Sequence, residues 1–192
     1  MIELHLLGGA SVTSAAGVPV GSVIAQPRRL ALLAYLAFRA PGAFHRRDTL
    51  FALFWPEHDT ERARHALRQS LYFLRQALGA GAIVSRGDDE LALAPEQVRC
   101  DVAEFERAVT AGRLAEALAL YRGDLLPGFH IDDAPAFDMW LEQERLRLRT
   151  RAAEAAWALA DASERAGDGP GAIAAARTAA VFAPTDEAAI CR

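Results

Sequence analysis

The chain has 192 residues, of which 52% are hydrophobic and 24% charged, and its formal net charge is −4. This length suits one domain or two small ones, and this composition is typical of a soluble globular protein. The N-terminus lacks a signal-peptide pattern, and no apolar run approaches the ~20 residues that a membrane span needs. The two cysteines, Cys100 and Cys191, are far apart and lack metal spacing. We therefore expect a cytoplasmic protein with no membrane partner and no disulfide framework.

The charge is unevenly distributed along the chain. Residues 26–76 contain nine arginines and four acidic residues, a balance of +5, and the remaining residues have a balance of −9. A compact basic segment in an acidic chain indicates one local anionic partner rather than general attraction to polyanions.

The N-terminal part predicts short strands followed by helices. Residues 2–24 alternate in hydropathy and are interrupted by turn residues such as Gly17 and Pro19, which predicts several short strands. A mostly buried helix is expected from Gln26-Pro27 to Pro41-Gly42, because Pro suits the first helical position. The segment HRRDTLFALFW predicts a second, shorter helix that Pro56 stops.

A third helix is predicted over ARHALRQSLYFLRQAL, residues 63–78, with Asp59 or Thr60 as its N-cap and Gly79 at its end. Its apolar residues recur every three or four positions, so one side should be buried. That side consists of Leu67, Ser70, Leu71, Leu74 and Leu78. The outer side consists of His65, Arg68, Gln69, Tyr72 and Gln76, with Arg64 and Arg75 at its margins.

The outer side of this helix has no acidic residue. Arginine can bind guanine edges or phosphates, glutamine can pair with adenine, and tyrosine can contact phosphate or a thymine methyl. Carboxylates would be repelled by phosphate, so their absence suits a helix that enters a DNA major groove. The helix alone is equally compatible with a solvated face in an arginine-rich protein.

The next segment, AIVSRGDDELALA, predicts two strands around Gly87-Asp88-Asp89, a hairpin with Arg86 near its tip. From Asp101 onward, alternating amphipathic helices predict a helical-hairpin array with Phe137, Met139, Trp140 and Trp157 in its core. The final TDEAAICR resembles the start of a further helix, so we expect the chain to be part of a longer protein.

Several motifs in order carry a family resemblance. In sequence they are PRRLALLAYLA, LFALFWP, LRQSLYFLRQALG, CDVAEFERAV, ALALYRGDLLPGF and WLEQERLRLRTR. The chain thereby resembles the SARP (antibiotic regulatory protein) transcriptional regulators over residues 2–190. The resemblance implies an α+β winged helix-turn-helix of the OmpR/PhoB type over residues 1–97. A bacterial transcriptional activator domain, an all-α tetratricopeptide-like array, would follow over residues 98–192.

The resemblance also implies a function and its partners. The chain would bind promoter DNA, contact RNA polymerase through the loop from Trp55 to Thr60, and form dimers. On the third helix, base or phosphate contacts are expected from Arg64, His65, Arg68, Gln69 and Tyr72, with Arg75 and Gln76 toward the DNA backbone. His45 departs from the family, because its place often holds a serine cap for the second helix. Arg46 or Arg47 would then supply the phosphate contacts there, and Arg86 would contact phosphate or the minor groove unless it is a plain turn residue. We expect Arg28 and Arg29 to be solvated.

No enzyme motif is present. The sequence lacks a phosphate loop, a Gly-x-Ser-x-Gly elbow and a His-Glu-x-x-His motif, and its histidines have no metal spacing. We expect no cofactor and no catalysis. The alternative to a DNA-binding activator is a helical-repeat adaptor whose winged-helix part binds protein rather than DNA.

Overall fold

The computed structural model describes residues 1–38 and 42–182, which adopt a mixed α/β fold with two small sheets and many helices. In chain order the described elements are β1 (Ile2–His5), β2 (Ser11–Thr13), α1 (Gly21–Ile24), α2 (Pro27–Phe38), β3 (His45–Arg46), α3 (Arg47–Phe54), α4 (Thr60–Leu78), β4 (Ile83–Arg86), β5 (Glu90–Leu93), β6 (Val98–Cys100), α5 (Asp101–Thr110), α6 (Leu114–Leu120), α7 (Pro135–Arg165) and α8 (Gly169–Phe182).

The first sheet joins the beginning of the chain to the segment that starts at Val98. Its strand order is β2–β1–β6, with β1 antiparallel to β2 and parallel to β6. Ile2 and Leu4 are buried, as period-2 alternation requires of a sheet with one covered face. A strand from beyond residue 97 thus completes the N-terminal sheet, and the division into two domains stays a prediction.

Two short segments differ from the sequence expectation. Residues 21–24 form one helical turn instead of a strand, closed by the Ala25 N–H donating to Gly21 O at 2.9 Å. Four residues are too few for periodicity to separate a helical turn from a strand. His45 and Arg46 form β3 instead of the start of a helix, because they pair with Leu91 and Glu90 of β5. The predicted helix end at Pro41 lies outside the described residues.

The core runs without interruption from β1 to α7. The Phe54 and Phe137 rings lie 5.2 Å apart, and the Trp140 ring lies 4.9 Å from Tyr35 and 5.1 Å from Phe38. Aromatic rings at these separations make favourable offset or edge-to-face contacts. The first turns of α7 are therefore packed directly on α2 and α3.

Phe137 and Met139 are both predicted to lie in the core of the helical array. The prediction is confirmed for Phe137, which is fully buried, and is wrong for Met139, which is 64% exposed. At about 100° per residue, Met139 lies about 200° from Phe137 and faces away from the core. Residues 135–165 form one continuous helix, and α8 packs along it with Ala175 and Ala179 buried. The further helix expected in TDEAAICR lies outside the described residues.

A buried carboxylate fixes the end of β1 to the start of α5. Asp101, only 5% exposed, accepts hydrogen bonds from the backbone N–H groups of Leu6 and Leu7 at 2.9–3.0 Å. Gly8 N–H donates to Asp124 O at 2.9 Å, and Leu126 N–H donates to Leu6 O at 2.8 Å. These bonds join the N-terminal sheet to the loop that precedes α7.

Within the part of the chain that the structure describes, no helix is both long enough and apolar enough to cross a bilayer.

Candidate nucleic-acid interface

Helix α4 is held by its cap and its apolar side. The Asp59 carboxylate accepts a hydrogen bond from Arg62 N–H at 2.9 Å, which satisfies one of the unpaired donors of the first turn. Gly79, with φ +106°, ends the helix. Leu67, Leu71 and Leu74 are at most 2% exposed, and Leu78 is 7% exposed. Burying four leucines contributes about 1.5–3 kcal/mol each, which is enough to fix the orientation of the helix.

The opposite side of α4 presents a row of polar residues to solvent. We call His65, Arg68, Gln69, Tyr72 and Gln76 the outer stripe; all five are exposed. Among the described residues none of these five side chains has a hydrogen-bond or ion-pair partner, and the centre of the Tyr72 ring lies 5.6 Å from that of Phe73. The stripe extends about 16 Å along the axis at about 1.5 Å per residue. That length corresponds to about five base-pair steps of a duplex.

Two further arginines predicted to contact DNA, Arg64 and Arg46, already form ion pairs within the chain. Arg64 forms an ion pair with Glu61 at 3.0 Å, and Arg46 forms one with Asp48 at 3.4 Å; both pairs are exposed. Such pairs contribute little to stability, so both arginines can exchange their partner for a phosphate at low cost.

The start of α3 lacks the side-chain cap that a serine often provides in the family. Arg46 occupies the N-cap position without a side-chain cap, and the Arg47 N–H donates to Asp89 O at 2.8 Å. His45 is 6% exposed, and its ring packs 5.1 Å from the Tyr35 ring. His45 is therefore a buried strand residue, and the beginning of α3 lies against the β4–β5 hairpin.

Two of the predicted arginines are held by the hairpin. Arg75 is half-buried and donates from Nε and Nη2 to Ile83 O and from Nη2 to Ser85 Oγ. Arg86 donates from Nε to Glu90 Oε2 at 2.6 Å, and its guanidinium lies 4.3 Å from the centre of the Phe44 ring. Of the two, Arg86 remains exposed on the hairpin.

The expectation that Arg28 and Arg29 are solvated is wrong. Arg28 Nη2 donates to Asp132 O at 3.0 Å, and the Arg29 guanidinium lies 4.0 Å from the centre of the Phe73 ring. Both are half-buried because the start of α2 lies between α4 and the loop before α7. Their positive charge serves contacts within the chain.

A shallow open groove runs beside the outer stripe. It is lined by His58, Glu61, Arg62, His65, Ala66, Arg68 and Gln69. Sequence reasoning did not include His58 and Arg62. The helical period could have identified Arg62, because it lies three and seven residues before His65 and Gln69. His58 is placed there by the fold of the loop after Pro56.

No cluster of three or more potential metal ligands exists among residues 1–38 and 42–182.

Neither a protein-family model nor a curated protein matches the chain. Among solved structures, the fold is similar to that of Mycobacterium tuberculosis EmbR, solved in complex with a low affinity phosphopeptide, with a TM-score of 0.70 and 24% identity. The match covers 98% of this chain and 52% of that one, so the chain spans about half the length of EmbR. At this identity the likeness establishes the fold alone.

Proposed function

We propose that the chain is a sequence-specific DNA-binding transcriptional regulator of the SARP kind, with α4 in the major groove and the β4–β5 hairpin as the wing. The outer stripe carries this proposal. Its five hydrogen-bonding side chains are oriented by a buried leucine face and have no partner among the described residues. Glu61 lines the groove beside the stripe, where it is paired with Arg64, and the five side chains of the stripe themselves include no carboxylate. Polar groups presented rigidly in this way suit the edges of bases and the phosphates beside them.

Within this proposal the predicted residues have different roles. Arg68, Gln69, His65 and Tyr72 lie centrally on α4 and contact bases or adjacent phosphates, with Gln76 nearer the end of the helix. The phosphate backbone is contacted by Arg64, Arg46, Arg47 and Arg86. The balance of +5 over residues 26–76 attracts the duplex to this side of the molecule.

We further propose that residues 1–97 are the winged-helix DNA-binding domain and that residues 98–192 are the transcriptional activator domain. The acidic balance outside residues 26–76 makes that second part unsuited to contact DNA. Activation would proceed through contact with RNA polymerase, and the chain would bind DNA as a dimer. We propose neither catalytic activity nor a cofactor, since this function requires none.

A matched pair of arginine variants tests the proposal. Arg68 and Arg177 are both exposed helical arginines without partners among the described residues, but Arg177 lies on α8. The target sequence is first selected from a random DNA pool, and affinity is then measured by mobility shift. Arg68→Ala should weaken binding by about fivefold to 150-fold, the equivalent of ~1–3 kcal/mol. Arg177→Ala should leave the affinity unchanged.

Salt dependence separates this function from the alternative. Binding that neutralises several phosphates weakens steeply as salt rises. Affinity that is insensitive to salt, or equal losses in the two variants, would favour the helical-repeat adaptor instead.

A further inference from the structure

Arg75 connects the end of α4 to the first strand of the hairpin. Its Nε and Nη2 donate to the carbonyl oxygen of Ile83 at 3.3 and 3.1 Å, and Nη2 also donates to Ser85 Oγ at 3.3 Å. Among the described residues, these are the only side-chain hydrogen bonds between α4 and β4. The planar guanidinium suits this task because its donors lie in a fixed geometry.

The strand pattern explains why the Ile83 carbonyl is available. The Ala94 N–H donates to Ala82 O at 3.0 Å, which makes residues 82 and 94 a hydrogen-bonded pair. Such pairs alternate along an antiparallel ladder, so Ile83, opposite Leu93, directs its carbonyl away from β5. In the strand order β3–β5–β4 that side of β4 is the open edge. Arg75 therefore satisfies an edge carbonyl that the sheet leaves unpaired.

The rest of the hairpin is anchored elsewhere. β5 pairs with β3, and the Arg47 N–H donates to Asp89 O at the hairpin turn. On the side of α4, the chain connection is a short turn in which Ala82 N–H donates to Gly79 O at 3.1 Å. The angle between α4 and β4 is thus set by this turn, by the core beneath it and by Arg75.

We propose that Arg75 is a positioning residue rather than a DNA contact. It holds the hairpin at a fixed distance from the outer stripe, so that Arg86 and the stripe engage one duplex together. This inference rests on the proposed function and narrows the predicted site, because the guanidinium that would face phosphate is occupied by β4. Arg68 remains a contact, and Arg75 determines where Arg86 stands.

The first test uses the DNA-free protein and does not depend on DNA binding. Amide hydrogen exchange is compared in the wild-type chain and in the variants Arg75→Ala and Arg75→Lys, with Arg177→Ala as control. Exchange in β4 and β5 should accelerate in both Arg75 variants, while α7 should be unchanged. Lysine should fail to rescue, because a single ammonium cannot reproduce the bonds to Ile83 and Ser85. Unchanged exchange in β4 would overturn the mechanical link.

The second test is a double-mutant cycle on the selected DNA. Each phosphate contact contributes ~0.9 to the slope of log affinity against log salt concentration. Between about 1 M and about 0.15 M salt, one such contact therefore strengthens binding about fivefold, and Arg86→Ala should lose this gain. In the Arg75→Ala or Arg75→Lys background, Arg86→Ala should cost less than about twofold, because contacts that share one geometry are not additive.

Additive losses, or full retention of affinity in Arg75→Lys, would overturn the inference and make Arg75 itself the phosphate contact. An unchanged affinity in Arg86→Ala alone would also overturn it, since no contact would then need positioning. Absence of DNA binding in the wild-type chain would remove the proposed function, and the exchange experiment would still decide whether Arg75 fixes the hairpin.

Discussion

The substitution Gly8→Ala tests the close approach between the N-terminal sheet and the loop before α7. Gly8 has φ +78°, and a Cβ added there would lie 2.8 Å from the carbonyl oxygen of Arg122. Backbone atoms cannot give way as a flexible side chain can. The methyl group should therefore separate the two segments and lengthen the Gly8 N–H to Asp124 O bond and the Leu126 N–H to Leu6 O bond, now 2.9 and 2.8 Å.

Gly17→Ala is the matched control. Gly17 has φ +77°, almost the same as Gly8, but an added Cβ would meet nothing within 4 Å. A left-handed conformation costs a non-glycine residue about 1–2 kcal/mol. The lower entropy of the unfolded alanine chain offsets about 0.4–1 kcal/mol of this. We expect Gly17→Ala to lower the free energy of unfolding by about 1 kcal/mol.

Gly8→Ala should cost more because it also weakens two backbone hydrogen bonds. Each contributes about 0.5–1.5 kcal/mol, so the total loss should be about 2–4 kcal/mol. Urea unfolding followed by tryptophan fluorescence measures both variants, and the midpoint shift at constant slope reports stability. Equal losses at Gly8 and Gly17 would refute the reasoning, because the contact with residues 122–124 would then contribute nothing.

Two further predictions concern the contact between the end of β1 and the start of α5. Asp101→Ala leaves the N–H groups of Leu6 and Leu7 buried without acceptors, at about 1–3 kcal/mol each, so unfolding experiments should find a loss of about 2–6 kcal/mol; a loss below 1 kcal/mol would contradict this role. Burial raises the pKa of the Cys100 thiol to about 12, and its residue is 3% exposed. The reaction of Cys100 is measured in a Cys191→Ser chain with a thiol reagent at pH 8. Because the thiolate is the reactive form, the rate should be limited by separation of the end of β1 from the start of α5. The rate should increase once Asp101→Ala is added. Immediate reaction of Cys100 in the native protein would contradict this, because it would show that the contact between β1 and α5 does not protect the thiol.

Much of the candidate interface was accessible from local pattern. The spacing of leucines on α4 predicts which side is buried, and the polar outer stripe follows because one helical period governs both sides. Asp59 and Gly79 are recognisable as helix boundaries by their residue types. The hairpin around Gly87 is likewise a local feature, since turn residues between two short apolar runs predict it.

Local pattern was insufficient wherever a partner distant in sequence decided the outcome. His45 and Arg46 are extended because β5 pairs with them across more than forty residues. Arg28 is occupied by the carbonyl of Asp132, which lies over a hundred positions away. No periodicity in a short window reports such contacts, because their energy comes from surfaces that meet only after folding.

The amino-acid sequence by itself determined the existence and orientation of α4, since the burial of its leucines is a property of residue type and helical period. Tertiary structure alone decided which of its arginines can meet a partner outside the chain. Arg68 and Arg75 have the same chemistry and lie seven residues apart, yet Arg68 faces solvent and Arg75 is held by Ile83 and Ser85. The physical reason is that a guanidinium binds the nearest unpaired acceptor, and only the folded hairpin brings one to Arg75.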